Sequence, residues 1–193
     1  MTEAGKGNLI RDEMSNRIVE TVEEIASNDG TKGLTVGKIL KKLGITNRVF
    51  YNRFHNIGEV LEIVYKKTVQ KARDRIMKSS DRKKDYFEYI FDLVESVIVN
   101  SYDTRRQMSS FVFETDSAET ENREWWVGEI RSIIEYGIEM GYFKKLDATL
   151  LSESVWSFIR GYNVDALGRN IPKEDAVKNL RYSFSFLING MKK

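Results

Sequence analysis

The sequence contains no cysteine, one proline and one histidine in 193 residues. Without cysteine, neither a disulfide framework nor a thiolate metal site can form. No apolar run approaches the ~20 residues that a membrane-spanning helix needs, and the polar N-terminus is unlike a signal peptide. We therefore expect a soluble, cytoplasmic protein without a membrane partner, of a length that allows one large or two small domains.

The single histidine, His55, restricts the chemistry that the chain can perform. A nucleophile–histidine pair would have to be built around it. Gly30 and Gly33 lack the Lys-Ser/Thr that follows a phosphate-binding loop, and no Glu-x-x-His pattern of a di-metal bundle is present. We expect no enzyme, no catalytic residue, no metal site and no cofactor. A carboxylate-only site stays open, because the chain has 29 acidic residues.

The pattern of apolar residues is helical throughout. They recur at intervals of three and four, strand-like alternation is absent, and Pro172 is the only proline. The pattern predicts an all-α protein with helices over residues 11–28, 57–77, 86–98, 105–113, 123–140 and 147–167, and a last helix from Pro172. Asp81 or Asp85 is the expected cap of the third of these.

Residues 34–61 carry the most informative pattern, two short helices joined by a tight turn. Thr35 is a suitable N-cap for the first helix, and Gly44 can adopt the left-handed conformation that ends it. Thr46 is then placed to cap the second helix, in which Phe50 and Phe54 lie on one side. Two such helices form a helix-turn-helix, which places its second helix in a major groove of DNA.

The residues expected to face outward from the second helix are polar. They offer amides, a phenol and guanidinium groups, which suit base edges and phosphates: Asn47, Arg48, Tyr51, Asn52 and Arg53. Residues 31–78 contain 12 Lys or Arg against 3 acids, whereas residues 81–193 contain 16 against 19. A local basic excess favours a polyanion partner. A solvated helix in a small bundle is the simpler alternative.

These residues resemble the DNA-binding domain of the tetracycline-repressor (TetR) family of bacterial transcriptional regulators. The resemblance lies in the first helix, in the segment from Thr35 to Ile39, in Leu43-Gly44-Ile45-Thr46, and in Phe50-Tyr51-x-x-Phe54, followed by Glu59 and Leu61. Ile57-Gly58 stands where the family usually has Lys-Glu. The resemblance implies an N-terminal arm and helix-turn-helix domain over residues 1–58 and a helical ligand-binding and dimerisation domain over residues 59–193.

The implied function is that of a repressor released from a palindromic double-stranded DNA operator by a small molecule. On this hypothesis Thr35, Thr46, Tyr51 and Arg53 anchor phosphates. Asn47, Arg48 and Asn52 read base edges. The alternative is a helical adaptor, a protein-interaction module without sequence-specific DNA binding.

Two sets of residues in the second half are candidates for other contacts. The last helix has apolar residues at 3-4-3-4 spacing, which suits a partner helix. In the resembled family the last two helices form a homodimer interface. The resemblance therefore implies the following interface: Phe158, Gly161, Val177, Leu180, Phe184, Leu187 and Met191. Packing within the chain is the alternative.

The second set is aromatic, and we hypothesise that it lines a pocket for a small ligand: Phe87, Phe91, Tyr102, Phe111, Phe113, Trp125 and Trp126. The neighbouring acids Glu114, Asp116, Glu119, Glu121 and Glu124 would favour a hydrophobic cation. An ordinary aromatic core and a solvated acidic loop are the simpler alternatives.

Overall fold

The computed structural model is all-α, as the sequence predicts. It describes residues 9–79, 85–118 and 120–193. The N-terminal arm up to residue 8, the predicted cap at Asp81 and the acidic residue Glu119 lie outside these ranges. The chain divides into two compact units, one up to Gln70 and the other from Lys71 onwards, so that the division falls inside a helix.

The first unit is built from four helices. These are α1 (Glu13–Asp29), α2 (Val36–Leu43), α3 (Asn47–Tyr51) and α4 (Ile57–Ser79), of which α4 continues into the second unit. Side chains that recur at helical spacing on α1 and α4 are buried, whereas Leu61 of α4 is half-buried: Ile18, Val22, Ile25 and Ala26 on α1, and Val60, Val64, Tyr65 and Val69 on α4. Their burial supplies the apolar free energy that holds the helices of this unit together.

The second unit contains α5 (Tyr86–Asp103), α6 (Arg106–Asp116), α7 (Glu121–Glu139), α8 (Ala148–Gly168) and α9 (Lys173–Met191). Asp85 and Asp147 cap α5 and α8 by accepting backbone N–H bonds, as expected of an aspartate at this position. Helix α7 packs along α8, and α5 packs along α9. One apolar core joins α5, α7, α8 and α9.

The predicted seam of α9 is mainly an internal one. Leu180, Phe184 and Met191 are buried in the core of their own chain, which corrects their assignment to a dimer interface. The Phe158 ring stacks on Phe184 with centroids 6.5 Å apart. Spacing alone could not distinguish a seam that faces the chain's own core from one that faces a second chain.

One side of α8 and α9 faces solvent, and it includes two residues of the predicted interface, Gly161 and Leu187, the latter 37% exposed. On α9, Tyr182 and Phe186 are 67% and 61% exposed, and their rings meet edge to face at 5.1 Å. On α8 the exposed residues at helical spacing include Leu150, which is 68% exposed, and three small residues, Ser154, Ser157 and Gly161. In the described part of the chain, no helix is both long enough and apolar enough to span a bilayer.

Candidate nucleic-acid interface

The turn between α2 and α3 has the geometry that its sequence predicts. The Thr35 hydroxyl accepts the backbone N–H of Lys38 at 3.3 Å, and so begins α2. Gly44 follows α2 with φ 66°, in the left-handed region that glycine adopts without a Cβ penalty. The backbone N–H of Ile45 then donates to Leu40 O at 3.1 Å, which satisfies a carbonyl at the helix end.

Helix α3 is shorter than the pattern of aromatic residues suggests. It begins after Thr46, whose hydroxyl makes no capping hydrogen bond, and it ends at Tyr51. Phe50 and Phe54 are nevertheless both buried, with ring centroids 5.8 Å apart, because the backbone N–H of Phe54 still donates to Phe50 O at 3.0 Å and this helical turn places both rings on one side. These two rings fix the orientation of α3 against its unit.

Four of the five predicted outward-facing residues are exposed: Asn47, Arg48, Tyr51 and Asn52. Arg48 has no ion-pair partner among residues 9–79, 85–118 and 120–193. Thr35 and Thr46 are exposed as well. This surface offers amides, a guanidinium, a phenol and two hydroxyls to a partner.

Arg53 is the exception, and its expected outward orientation was wrong. Its Nε and Nη2 donate to the two carboxylate oxygens of Asp12, at 2.9 and 2.5 Å, and its Nη1 donates to Val49 O at 2.8 Å. Its side chain is only 13% exposed. The hydrogen bonds from Arg53 hold the pKa of the Asp12 carboxyl well below its usual range, so that Asp12 is charged at neutral pH.

Asp12 therefore has two structural roles that we did not predict from the sequence. Its Oδ1 accepts the backbone N–H of Ser15 at 2.9 Å, while the Ser15 hydroxyl accepts the N–H of Asp12, which completes a capping box for α1. The Asp-x-x-Ser spacing is a recognisable signal for the cap. The bond to Arg53, 41 residues away, has no such signal.

A second ionic contact connects the segment before α1 to the start of α4. Arg11 Nη2 donates to Glu59 Oε1 at 2.6 Å, and its guanidinium lies 4.9 Å from the centroid of the Phe54 ring. The other Glu59 oxygen accepts the N–H of His55 at 2.8 Å. Burial raises the pKa of Glu59, but the bonds from His55 and Arg11 outweigh it, so that the pKa is lowered. Asn56 caps α4, since its Oδ1 accepts the N–H of Glu59 at 3.0 Å.

Exposed lysines on α2 add positive charge to this unit. Lys38 and Lys41 project into solvent, whereas Lys42 pairs with Glu24 at 2.8 Å. Together with Arg48 they give the helix-turn-helix an unneutralised positive charge. Such a surface attracts polyanions in a salt-dependent way.

The aromatic residues predicted to line a ligand pocket contact different partners. The Trp125 and Trp126 rings meet edge to face with centroids 4.7 Å apart. Phe87 packs with Tyr142 and Phe143, whereas Phe91 packs with Phe184. The Tyr102 hydroxyl donates to Ile171 O at 2.7 Å, Phe111 is buried, and Trp126 packs against the core of the second unit.

Several of these aromatic faces already hold a cation of the chain itself. The Arg73 guanidinium lies 4.6 Å from the Trp125 ring centroid, and the Arg181 guanidinium lies 4.6 Å from that of Phe91. The Lys192 ammonium lies 4.2 Å from the Phe87 centroid. The structure thus uses for internal packing the faces that we expected to attract a cationic ligand.

Phe113 lines a groove, which has a volume of about 220 Å³ and lies between α6 and α8. The groove is lined by Arg106, Ser110, Phe113, Glu114, Val164, Leu167 and Gly168. Its walls are mostly apolar, and they include one positive and one negative side chain, Arg106 and Glu114.

Solved structures share this fold over nearly the whole chain. The TetR-family transcriptional regulator of Pectobacterium atrosepticum is 13% identical, with 93% of this chain and 94% of that chain covered and a TM-score of 0.77. The fatty acid degradation regulator FadR of Bacillus halodurans is 17% identical, with 90% and 95% covered and a TM-score of 0.71.

A third similar structure is the ketosteroid transcriptional regulator KstR2 of Mycobacterium tuberculosis, which is 16% identical, with 95% of this chain and 97% of that chain covered and a TM-score of 0.61. No protein-family model matches the chain, and no curated protein matches its sequence. The protein therefore has the fold of TetR-family transcriptional regulators, which confirms the resemblance at the level of fold.

Proposed function

We propose that this protein is a sequence-specific DNA-binding transcription regulator, acting as a repressor and as a homodimer. The observation that carries the proposal is α3, a short helix fixed by two buried rings whose outward side chains, Asn47 and Arg48 foremost, are exposed. Exposed amide and guanidinium groups on the second helix of a helix-turn-helix match the donor and acceptor pattern of the major groove.

The proposed roles differ among the side chains. Asn47, Arg48 and Asn52 read base edges, since their planar amide and guanidinium groups can form two parallel hydrogen bonds with one base. The hydroxyls of Thr35, Thr46 and Tyr51 bind phosphates, which fixes the register of the helix on the duplex.

Arg53 has a positioning role in this proposal instead of a phosphate contact. Its guanidinium is held by Asp12 and by Val49 O, so that it ties the end of α3 to the start of α1. The charge of Asp12 offsets that of Arg53, which lowers the attraction of this pair for phosphate. Lys38 and Lys41 on α2 are the better candidates for the salt-dependent part of the affinity.

The homodimer is proposed to form through the exposed side of α8 and α9. Tyr182 and Phe186 are large aromatic side chains exposed next to each other, which is costly in water unless a partner covers them. The exposed small residues of α8, with Gly161 among them, allow close approach of another helix backbone. A two-fold dimer presents the α3 helix of each protomer to one of two successive major grooves, and this predicts a palindromic operator.

A small ligand in the second unit is proposed to release the protein from DNA. FadR and KstR2 are named for fatty acid degradation and for ketosteroids, respectively. In this proposal the dimer has a second conformation, in which the two α3 helices are not spaced to enter successive major grooves. A ligand that binds this conformation more tightly than the operator-bound one lowers the population of the operator-bound state. The size of the effect is set by the difference between the ligand's affinities for the two conformations.

Selection of bound sequences from a random double-stranded DNA pool tests the proposal. We expect the full-length protein, near physiological salt, to enrich an inverted repeat. Arg48→Ala should relax the preference at one base position of each half-site. Arg17→Ala, which removes an exposed arginine of α1, is the matched control for loss of charge and should enrich the same repeat.

Two outcomes would contradict the proposal in different ways. Enrichment of a motif without symmetry would support sequence-specific DNA binding but contradict the proposed homodimer. No enrichment by protein that circular dichroism shows to be folded would leave the helical adaptor as the better description.

A further inference from the structure

His55 is the only histidine of the chain, and it directly follows the buried ring of Phe54. Its side chain is 68% exposed. The chain also contains no cysteine, so His55 is its only side chain of a type that ordinarily changes charge between about pH 5 and 8. A change of protonation in that range therefore points first to this one imidazole.

Glu59 holds the imidazole from one side. Its Oε2 accepts the backbone N–H of His55 at 2.8 Å and lies 3.1 Å from the ring nitrogen Nδ1, while its Oε1 accepts a hydrogen bond from Arg11. Burial raises the pKa of Glu59, but these bonds lower it by more, so that its carboxylate is charged at neutral pH. A charged carboxylate can only accept a hydrogen bond. Nδ1 therefore carries a proton, whether the imidazole is neutral or charged.

This arrangement decides what the other ring nitrogen, Nε2, offers to a partner. With the proton on Nδ1, the neutral ring has a lone pair at Nε2, which repels an anion. Protonation converts Nε2 into a positively charged N–H donor, which suits a phosphate oxygen. No residue in the described part of the chain bonds Nε2 of His55, so this atom is open to an outside partner.

The charged groups beside His55 come from three places in the same unit. Glu59 belongs to α4, and Arg11, which pairs with it, precedes α1. Arg53, two residues before His55, is paired with Asp12. Each of these two ion pairs is neutral overall, so that a protonated His55 adds one positive charge to this part of the unit.

His55 lies close to the end of α3. The backbone N–H of Phe54 still donates to Phe50 O, so the helical turn that follows α3 ends immediately before His55. His55 is three residues from Asn52, which limits the distance between their Cα atoms to ~11 Å. The major groove is about 12 Å wide. An exposed side chain this close to a base-reading residue can therefore reach the phosphates along the edge of the groove.

We propose that His55 binds a phosphate of the DNA backbone through Nε2, and that it takes up a proton from solvent when it does so. Because Glu59 keeps Nδ1 protonated, the incoming proton goes to Nε2, and the charged ring then donates it in a hydrogen bond to the phosphate oxygen. The affinity for DNA consequently rises as the pH falls through the range in which histidine titrates. The inference rests on the proposed function and adds a phosphate contact and a pH dependence to it.

Nuclear magnetic resonance of the full-length protein tests this contact without any substitution, because a single histidine gives a single imidazole Cε1–H signal. The signal is followed from acid to mildly alkaline pH, first without DNA and then with a short random-sequence duplex. Such a duplex suffices in low salt, since non-specific binding depends on the phosphates. We expect the duplex to raise the pH midpoint of the titration by about one unit, because a nearby anion favours the charged imidazole.

The affinity for the same duplex, measured by fluorescence anisotropy at constant ionic strength, is the second readout. A midpoint shift of one unit corresponds to roughly tenfold tighter binding when His55 is protonated than when it is neutral. His55→Gln should abolish this pH dependence, because glutamine offers a neutral N–H at every pH. The matched control adds Ser132→His to that variant. It returns one histidine at an exposed position of α7, and the affinity should stay independent of pH.

Two results would overturn the proposal. One is that DNA shifts the backbone signals of α3 while the imidazole titrates at an unchanged pH. The other is that His55→Gln, shown by circular dichroism to be folded, keeps the pH dependence of the wild type, which would assign the proton to another group. In both cases DNA binding is intact and the proposed function stands. If DNA shifts no signal of the folded protein, the proposed function itself fails, and the contact of His55 fails with it.

Discussion

Gly137 of α7 lies against Tyr86 of α5 and against Phe143, and it provides a sharp test of the packing in the second unit. A Cβ at Gly137 would lie 2.4 Å from Tyr86 Oη and 2.5 Å from Phe143 Cδ2. The Tyr86 hydroxyl cannot easily move, because it donates to Ile133 O at 2.6 Å and its ring stacks on Tyr142 at 4.7 Å. Burial raises the pKa of Tyr86, so the hydroxyl remains a donor.

We therefore predict that Gly137→Ala destabilises the second unit. Overpacking of a buried site costs about 1–3 kcal/mol. Losing the Tyr86 hydrogen bond adds about 1 kcal/mol, and the better helix propensity of alanine returns about 1 kcal/mol. The expected net loss is about 1–3 kcal/mol, or roughly 2–12 °C in the melting temperature of a chain of this size.

Gly128→Ala on the same helix is the matched control. A Cβ at Gly128 meets nothing within 4 Å, so only the propensity gain of about 0.5–1 kcal/mol remains. Thermal unfolding followed by circular dichroism compares the two variants at one protein concentration, because association changes the melting temperature. The reasoning is refuted if Gly137→Ala is as stable as Gly128→Ala.

Three further predictions concern the candidate interfaces. Arg48→Ala should lower the preference for the selected operator over a mismatched one by about 1–3 kcal/mol, as measured by fluorescence anisotropy; an unchanged preference would exclude Arg48 from base reading. Phe186→Glu should convert a dimer into monomers in sedimentation equilibrium, and a dimer that persists would place the interface elsewhere. Asp12→Asn should lower the melting temperature at neutral pH. Because the pKa of Asp12 is lowered by folding, its contribution is complete above the ordinary aspartate pKa of about 3.9 and is lost as the pH falls below it. The difference from wild type should therefore shrink in acid, and a difference independent of pH would rule out the ion pair with Arg53 as its source.

Local interactions explain what the sequence by itself determined. A cap such as Thr35, a left-handed glycine such as Gly44 and a capping aspartate such as Asp147 act on backbone atoms within a few residues of themselves. The helices, the turn of the helix-turn-helix and the burial of Phe50 could for this reason be predicted from spacing and residue type. The exposure of Asn47, Arg48, Tyr51 and Asn52 followed from the same periodicity.

The tertiary structure alone decided which partner each amphipathic or charged side chain has. The apolar spacing of α9 specifies a seam, but only packing shows that Leu180 and Phe184 face their own chain while Tyr182 and Phe186 remain exposed. Helical periodicity predicts that Arg53 faces solvent, whereas in the structure its guanidinium is bound to Asp12 of the same unit. Such contacts join residues that are far apart in the chain. The chemical type of a side chain determines which groups it can bind, but only the fold determines which of those groups lies beside it.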